Sequence, residues 1–142
     1  MRVLLDSSTL INSLRQEKDA LEVFSKIMAG HIEGVVNGTI VFEIYAGVPR
    51  QQNPEKAEKK VDAMMSLLRY GELAKKDFRD AGLLDGQLIR AGLQINEADT
   101  IIAIHAARPE IDILITENVD HYRRIEKIRA KVKTAAEWLK EN

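Results

Sequence analysis

The spacing of apolar residues along this 142-residue chain predicts an α/β domain of three layers, a central, mostly parallel sheet flanked by helices. Two observations carry the prediction. Residues 1–5 and 111–115 are short runs that are apolar at nearly every position, the pattern of strands buried on both faces of a parallel sheet. Between such runs, apolar residues recur at the helical period, and strands that alternate with helices form parallel sheets with right-handed crossovers.

Each element has its own signal. After the strand at 1–5, the cap-type residues Asp6, Ser7 and Ser8 precede Leu10, Ile11 and Leu14, which is a strand-to-helix turn. Leu21, Phe24, Ile27 and Met28 predict an amphipathic helix over 19–29, closed by Gly30. A second strand spans 34–37, and Gly38 and Thr39 open a helix that runs through 46. Gly47, Pro49, Asn53 and Pro54 punctuate a loop. Ala57, Val61, Met64, Met65 and Leu68 predict a helix over 55–68. Phe78, Ala81, Leu84, Leu88 and Ile89 predict another over 75–91, facing inward and stopped by Gly92. Asn96 caps a helix whose residues from Ile101 to Ala107 are apolar nearly all round, so it belongs in the centre. Pro109 ends it, 111–115 is a strand, 116–121 a turn, 122–128 a short helix, 132–134 an edge strand and 135–139 a last helix.

Composition bounds the function. One domain, residues 1–142, suits the length. With 45% hydrophobic and 30% charged residues the composition is that of an ordinary globular protein, and a formal net charge of -1 argues against a uniformly basic surface wrapped on nucleic acid. The absence of cysteine removes disulfides, thiolate zinc sites and cysteine nucleophiles. Neither a secretory leader nor an apolar run long enough for a membrane span is evident, so a cytoplasmic protein is expected.

Chemistry is carried by acids. Val3-Leu4-Leu5-Asp6, Ile40-Val41-Phe42-Glu43 and Ile95-Asn96-Glu97-Ala98-Asp99 each bring an apolar stretch to an acid. Ligands of open parallel sheets bind beyond the carboxyl ends of the strands, where Asp6 and the stretch 116–120 fall, and Glu43 and Asp99 lie near helix N-termini. Brought together, these carboxylates ask for a divalent cation. Each also has an ordinary reading: Asp6 as a helix cap and Asp99 as the return half of a capping box. Glu43 has the weakest such reading, since it lies past the capping positions beside Phe42 and Ile44. His31, His105 and His121 are scattered and lack the spacing of a zinc helix, which favours solvated or hydrogen-bonded histidines. Ser7 and Ser8 have no histidine partner for nucleophilic catalysis, and no phosphate-binding glycine loop occurs. Arg123, Arg124, Lys127, Arg129, Lys131 and Lys133 form a basic run, either a solvated face or a nucleic-acid contact.

Four stretches resemble the motifs of the PIN-domain family. Leu4-Leu5-Asp6-Ser7-Ser8-Thr9-Leu10-Ile11 resembles the first, and Thr39-Ile40-Val41-Phe42-Glu43-Ile44-Tyr45-Ala46-Gly47 the second. The stretch from Gly92 to Ala106 around Asp99 resembles the third, and Leu114-Ile115-Thr116-Glu117-Asn118 with Tyr122 the fourth. The resemblance covers almost the whole chain and implies a PIN-like fold and a Mg²⁺- or Mn²⁺-dependent ribonuclease, the toxin of a VapBC-type toxin-antitoxin pair, with RNA as substrate and a cognate antitoxin as partner. It implies Asp6, Glu43 and Asp99 as metal-site acids. At the fourth position the family often has an acid where this chain has Asn118 or His121, with Asp120 between them, so Asn118 or Asp120 completes the site. Ser8 and Thr116 are expected to buttress it.

Two other classes remain open from the residues alone. A phosphatase-like or receiver-like α/β domain also places acids at strand ends, but it wants a second acid or nucleophile where Ser7 and Ser8 stand. A PIN-fold binding protein without nuclease activity is the other. The segment between Gly47 and Leu73 carries Met64, Met65, Leu67, Leu68 and Tyr70, more apolar surface than one helix buries, and predicts an antitoxin groove or a homodimer contact.

Overall fold

The computed structural model describes residues 1–142. Five strands form one sheet in the order β3 (Arg69–Tyr70), β2 (Glu33–Val36), β1 (Arg2–Leu5), β4 (Ile113–Ile115), β5 (Lys131–Lys133), and every neighbouring pair is parallel. Val3, Leu4 and Leu5 in the central strand are all fully buried. Successive strand residues point to opposite faces, so both faces of the sheet are covered and the domain has three layers.

Helices α1 (Ser7–Leu14) and α2 (Lys18–Met28) connect β1 to β2. Helix α3 (Gly38–Ala46), a 3₁₀ turn (Val48–Arg50) and α4 (Pro54–Met65) lead to β3, and α5 (Lys75–Arg90) and α6 (Glu97–Ala106) return to β4. Helix α7 (Val119–Arg123) precedes β5, and α8 (Ala135–Glu141) packs on α2. Gly30 and Gly92, which end α2 and α5, adopt φ of 77° and 73°, a left-handed backbone open to glycine at no steric cost. Helix α6, read from sequence as central, lies against α3, α5 and α7, and its residues from Ile102 to Ala106 are all buried.

The structure departs from the sequence reading in four places. The short helix predicted over 122–128 is α7, begun three residues earlier and finished by Arg123, because Tyr122 is drawn fully into the core and the chain turns after it. Strand β3 was not foreseen: two exposed residues pairing with β2 carry no apolar pattern. In α5 the buried stripe is Ala81, Leu84 and Leu88, while Phe78 and Ile89, expected inward, are each 50% exposed at its margins. The packing of α4 against the core takes Met64 inside and half-buries Met65, with Leu68 after it, which removes much of the apolar surface expected for a partner; beyond α4, Leu67 and Tyr70 are exposed.

The strand order places the site. From β1 the chain moves outward through β2 to β3, then crosses back to β4 on the other side of β1 and continues to β5. The direction reverses between β1 and β4, the point at which open parallel sheets leave a crevice beyond their carboxyl ends. Leu5 is in register with Ile115, so Asp6 and Thr116 leave the sheet side by side.

Candidate active site

Asp6 is the best-anchored acid. Its amide donates to the Ile115 carbonyl at 3.1 Å, which continues the β1–β4 ladder by one step, and its carboxylate is buried at 1% exposure. Oδ1 accepts from the Ser7 amide at 2.7 Å, and Oδ2 accepts from the hydroxyls of Thr116 at 2.7 Å and Ser8 at 3.3 Å. Ser8 Oγ in turn accepts from the Glu117 amide and Thr116 Oγ1 from the Asn118 amide, both at 3.0 Å. The two hydroxyls thus tie the segment after β4 to the acid after β1. Burial pushes the Asp6 carboxyl above its ordinary pKa; the Thr116 donor works against that, and the charge of Asp99 adds to it. Asp6 also occupies the N-cap position of α1, so the cap reading and the site reading describe one residue.

Glu43 and Asp99 come from helices. Asn37 caps α3, its Oδ1 accepting from the Ile40 amide at 3.1 Å, and directs the helix so that Glu43 is half-buried one and a half turns in. Burial raises the Glu43 carboxyl, and the charges of Asp6 and then Asp99 raise it further. Its Oε1 is buried with no hydrogen-bond partner. Asp99 sits in the first turn of α6, buried at 7% exposure, and does not close a capping box: Asn96 Oδ1 accepts from Ala98, and the Asp99 carboxylate turns to α7 instead. There Oδ2 lies 2.8 Å from Nδ1 of His121, and a carboxylate without a proton accepts from the imidazole N–H.

Three functional positions were thus missed from sequence. His121 orients Asp99. Tyr122 beside it is fully buried, and its hydroxyl, also without a hydrogen-bond partner, faces the acids: burial first, then the charges of Asp6, Asp99 and Glu43, hold its pKa far above that of an ordinary phenol. Asn37 is fully buried, and its Nδ2 lies 3.0 Å from Nδ1 of His105, the hydrogen-bonded core histidine that its isolation in sequence suggested. The one available signal for His121 was its place just before the aromatic of the fourth motif, where the resembled family often has an acid.

The structure brings Asp6, Glu43, Asp99, Ser8 and Thr116 together and leaves Asp120 apart. Asp120 is exposed in the first turn of α7, and its only side-chain neighbour by hydrogen bonding is Arg124, which donates to its carbonyl at 2.9 Å. Asn118 precedes α7 and is held near the acids through its backbone, its side chain making no cap. No three His, Asp or Glu side chains stand close enough to encircle an ion unaided. Mg²⁺ does not require that: one or two carboxylates and several waters suffice, all of them oxygen donors. Asp6 and Glu43, whose carboxyls burial first and neighbouring acids second hold above their ordinary pKa, with a free buried oxygen on Glu43, fit such a cation, because an unpaired buried acceptor lacks the partner that buried polar atoms nearly always have.

Comparison with known proteins follows the same lines. A family model described as PIN domain matches residues 3–128. The chain is similar to Ribonuclease VapC2 of Rickettsia felis, 25% identical over 125 residues that cover 88% of this chain and 92% of that protein. Among solved structures it resembles VapBC2 from Rickettsia felis bound to a DNA fragment from their promoter, with a TM-score of 0.80 and 22% identity over 94% of this chain and 98% of that one. A toxin-antitoxin complex from Klebsiella pneumoniae gives a TM-score of 0.69 and 16% identity over 94% of this chain and 97% of that one.

Proposed function

Because the chain belongs to the PIN domain family, we propose that it is a Mg²⁺- or Mn²⁺-dependent endoribonuclease, the toxin of a toxin-antitoxin pair. The observation that carries the reading is the convergence of Asp6, Glu43 and Asp99 at the point where the strand order reverses, with one Glu43 oxygen buried and unpaired. The similarity to a VapC ribonuclease supports the activity, and the likeness to VapBC complexes supports a cognate antitoxin as partner. A homodimer and a cytoplasmic setting complete the proposal.

A divalent ion bound at these acids supplies a more acidic water and neutralises phosphate charge. The chain supplies the rest. Asp6, immobilised by donors of Ser7, Ser8 and Thr116, and Asp99, oriented by His121, would hold the ion directly; Glu43 would be a further ligand or accept the proton of the attacking water. The water oxygen bonds to phosphorus as the bond to the leaving nucleoside oxygen breaks. Ser8 and Thr116 hold Asp6 in place, and Asn118 stands at the outer edge.

Labelled RNA tests this. Purified protein should cleave it with Mg²⁺ or Mn²⁺ and stop on addition of EDTA or on Asp99→Asn; full cleavage in EDTA would overturn the mechanism.

A further inference from the structure

The basic residues that matter are not those that cluster in sequence. Of the C-terminal run, Arg123 pairs with Glu137 at 2.6 Å and Lys133 with Glu141 at 2.6 Å, while Arg124 donates to the Asp120 carbonyl. Those three are engaged within the fold, while Lys127, Arg129 and Lys131 are exposed and in no ion pair but do not line the cavity beside Glu43. Four others, spread from position 15 to position 60, line one cavity of about 560 Å³ between α1, α3 and α4: Arg15, Arg50, Lys56 and Lys60. None of the four is in an ion pair, and all are exposed.

Glu43 is the only acid among the residues that line this cavity. The cavity therefore reaches the acid site at Glu43, and its other charged residues are all positive, set beside an apolar lining that includes Ile11, Leu14, Ile44 and Val61, in a chain whose formal net charge is -1. Four unpaired cations gathered along one cavity beside a single acid form a surface suited to a polyanion. Lys56 and Lys60 lie four residues apart on α4, which stacks their side chains along one face about 6 Å apart, a step that suits successive phosphates of an extended strand.

We propose that this groove is the track for a single-stranded RNA that passes the acid site, with Arg15, Arg50, Lys56 and Lys60 contacting the phosphates that flank the cleaved one. The proposal rests on the ribonuclease reading for the identity of the strand. An acidic peptide offers the same charge, but it has no reason to be aligned with a site built for a phosphodiester, whereas a substrate strand must continue past Glu43 in one direction or the other.

The test separates binding from cleavage. A fluorescein-labelled RNA oligonucleotide, which is not hydrolysed while EDTA withholds the divalent ion, is titrated with protein in EDTA at low and rising salt. The wild type should bind. The double variant Lys56→Glu/Lys60→Glu should bind about tenfold more weakly or worse, with a salt dependence shallower by about 0.7 log units per lost phosphate contact. Lys26→Glu, a half-buried cation of α2 outside the groove, should bind as the wild type does. Equal binding by the double variant, or an equal loss in Lys26→Glu, overturns the track. So does a wild type that binds no oligonucleotide, which would leave the groove to a protein partner. Oligonucleotide bound through these lysines without any metal-dependent cleavage of ordinary RNA sinks the nuclease reading and leaves the groove standing.

Discussion

Asp99 depends on one neighbour, and that neighbour is a histidine. His121 Nδ1 is a donor to the Asp99 carboxylate in either protonation state, so the contact orients the acid without adding a fourth negative charge to the site. Outer-sphere partners of this kind are worth about tenfold to a hundredfold in metal affinity. His121→Leu should accordingly lose most of the rise in melting temperature that Mn²⁺ gives the wild type. His121→Asn, which keeps an N–H near the same place, should retain much of it, and Asp120→Asn should match the wild type because Asp120 faces solvent. A loss in Asp120→Asn larger than that in His121→Leu would move the fourth position to Asp120. Thr116 is the corresponding support of Asp6. Thr116→Val keeps the shape but strips a donor from Asp6 and an acceptor from the Asn118 amide, and should cost about 1 to 3 kcal/mol in urea unfolding.

At the scale of elements, the caps are stronger than the propensities. Asn37 both caps α3 and satisfies His105, so Asn37→Ala should cost about 2 to 3 kcal/mol, a lost cap plus an unpaired buried nitrogen, read by denaturant unfolding. Helix α5 shows the opposite case. Gly82 and Gly86 lie mid-helix, and a Cβ at either would meet nothing within 4 Å, so nothing inside the domain requires glycine there. Gly82→Ala and Gly86→Ala should each stabilise by about 0.5 to 1 kcal/mol. Unchanged or lower melting temperatures would show that the exposed face of α5 needs close approach by something else.

For the whole molecule, pH and metal act through buried charge. Burial holds His105 down to about 4 from 6.5, so between those values the unfolded chain carries a proton that the folded protein does not. Stability from this source is present above 6.5 and lost as pH falls through the window, on the order of 3 kcal/mol in full. Asp6 and Glu43 act with the reverse sign. Their folded pKa values lie above the unfolded 3.8 and 4.5, so their contribution is present at low pH and lost as pH rises through the folded values. Measured between pH 4 and 6.5, the melting temperature of His105→Gln should rise less steeply than that of the wild type. At neutral pH in EDTA, Asp6→Asn and Asp99→Asn should melt at or above the wild type, since each relieves repulsion. Both should gain less from millimolar Mg²⁺ or Mn²⁺, which stabilises only the assembled site. If both melt well below the wild type and metal adds nothing to the latter, the acids serve as caps.

The alternating pattern and the turn residues were enough to specify the layers, the parallel sheet and several helix starts, because Asp6 and Asn96 do their capping within a few residues of themselves; Asn37 and Thr134, read as the ends of strands, are caps as well. The same local logic made Asp6, Glu43 and Asp99 visible, each an acid that follows an apolar stretch at a helix start or within its first two turns. What local pattern cannot carry is the identity of a neighbour far along the chain. That His121 faces Asp99, that Thr116 reaches Asp6 across 110 positions, and that Arg15 shares a groove with Lys60 all follow from strand order and helix packing. Phe78 and Ile89 turn outward and Met64 inward for a related reason: the helical period defines an apolar stripe, but only the elements packed against it decide how wide that stripe is.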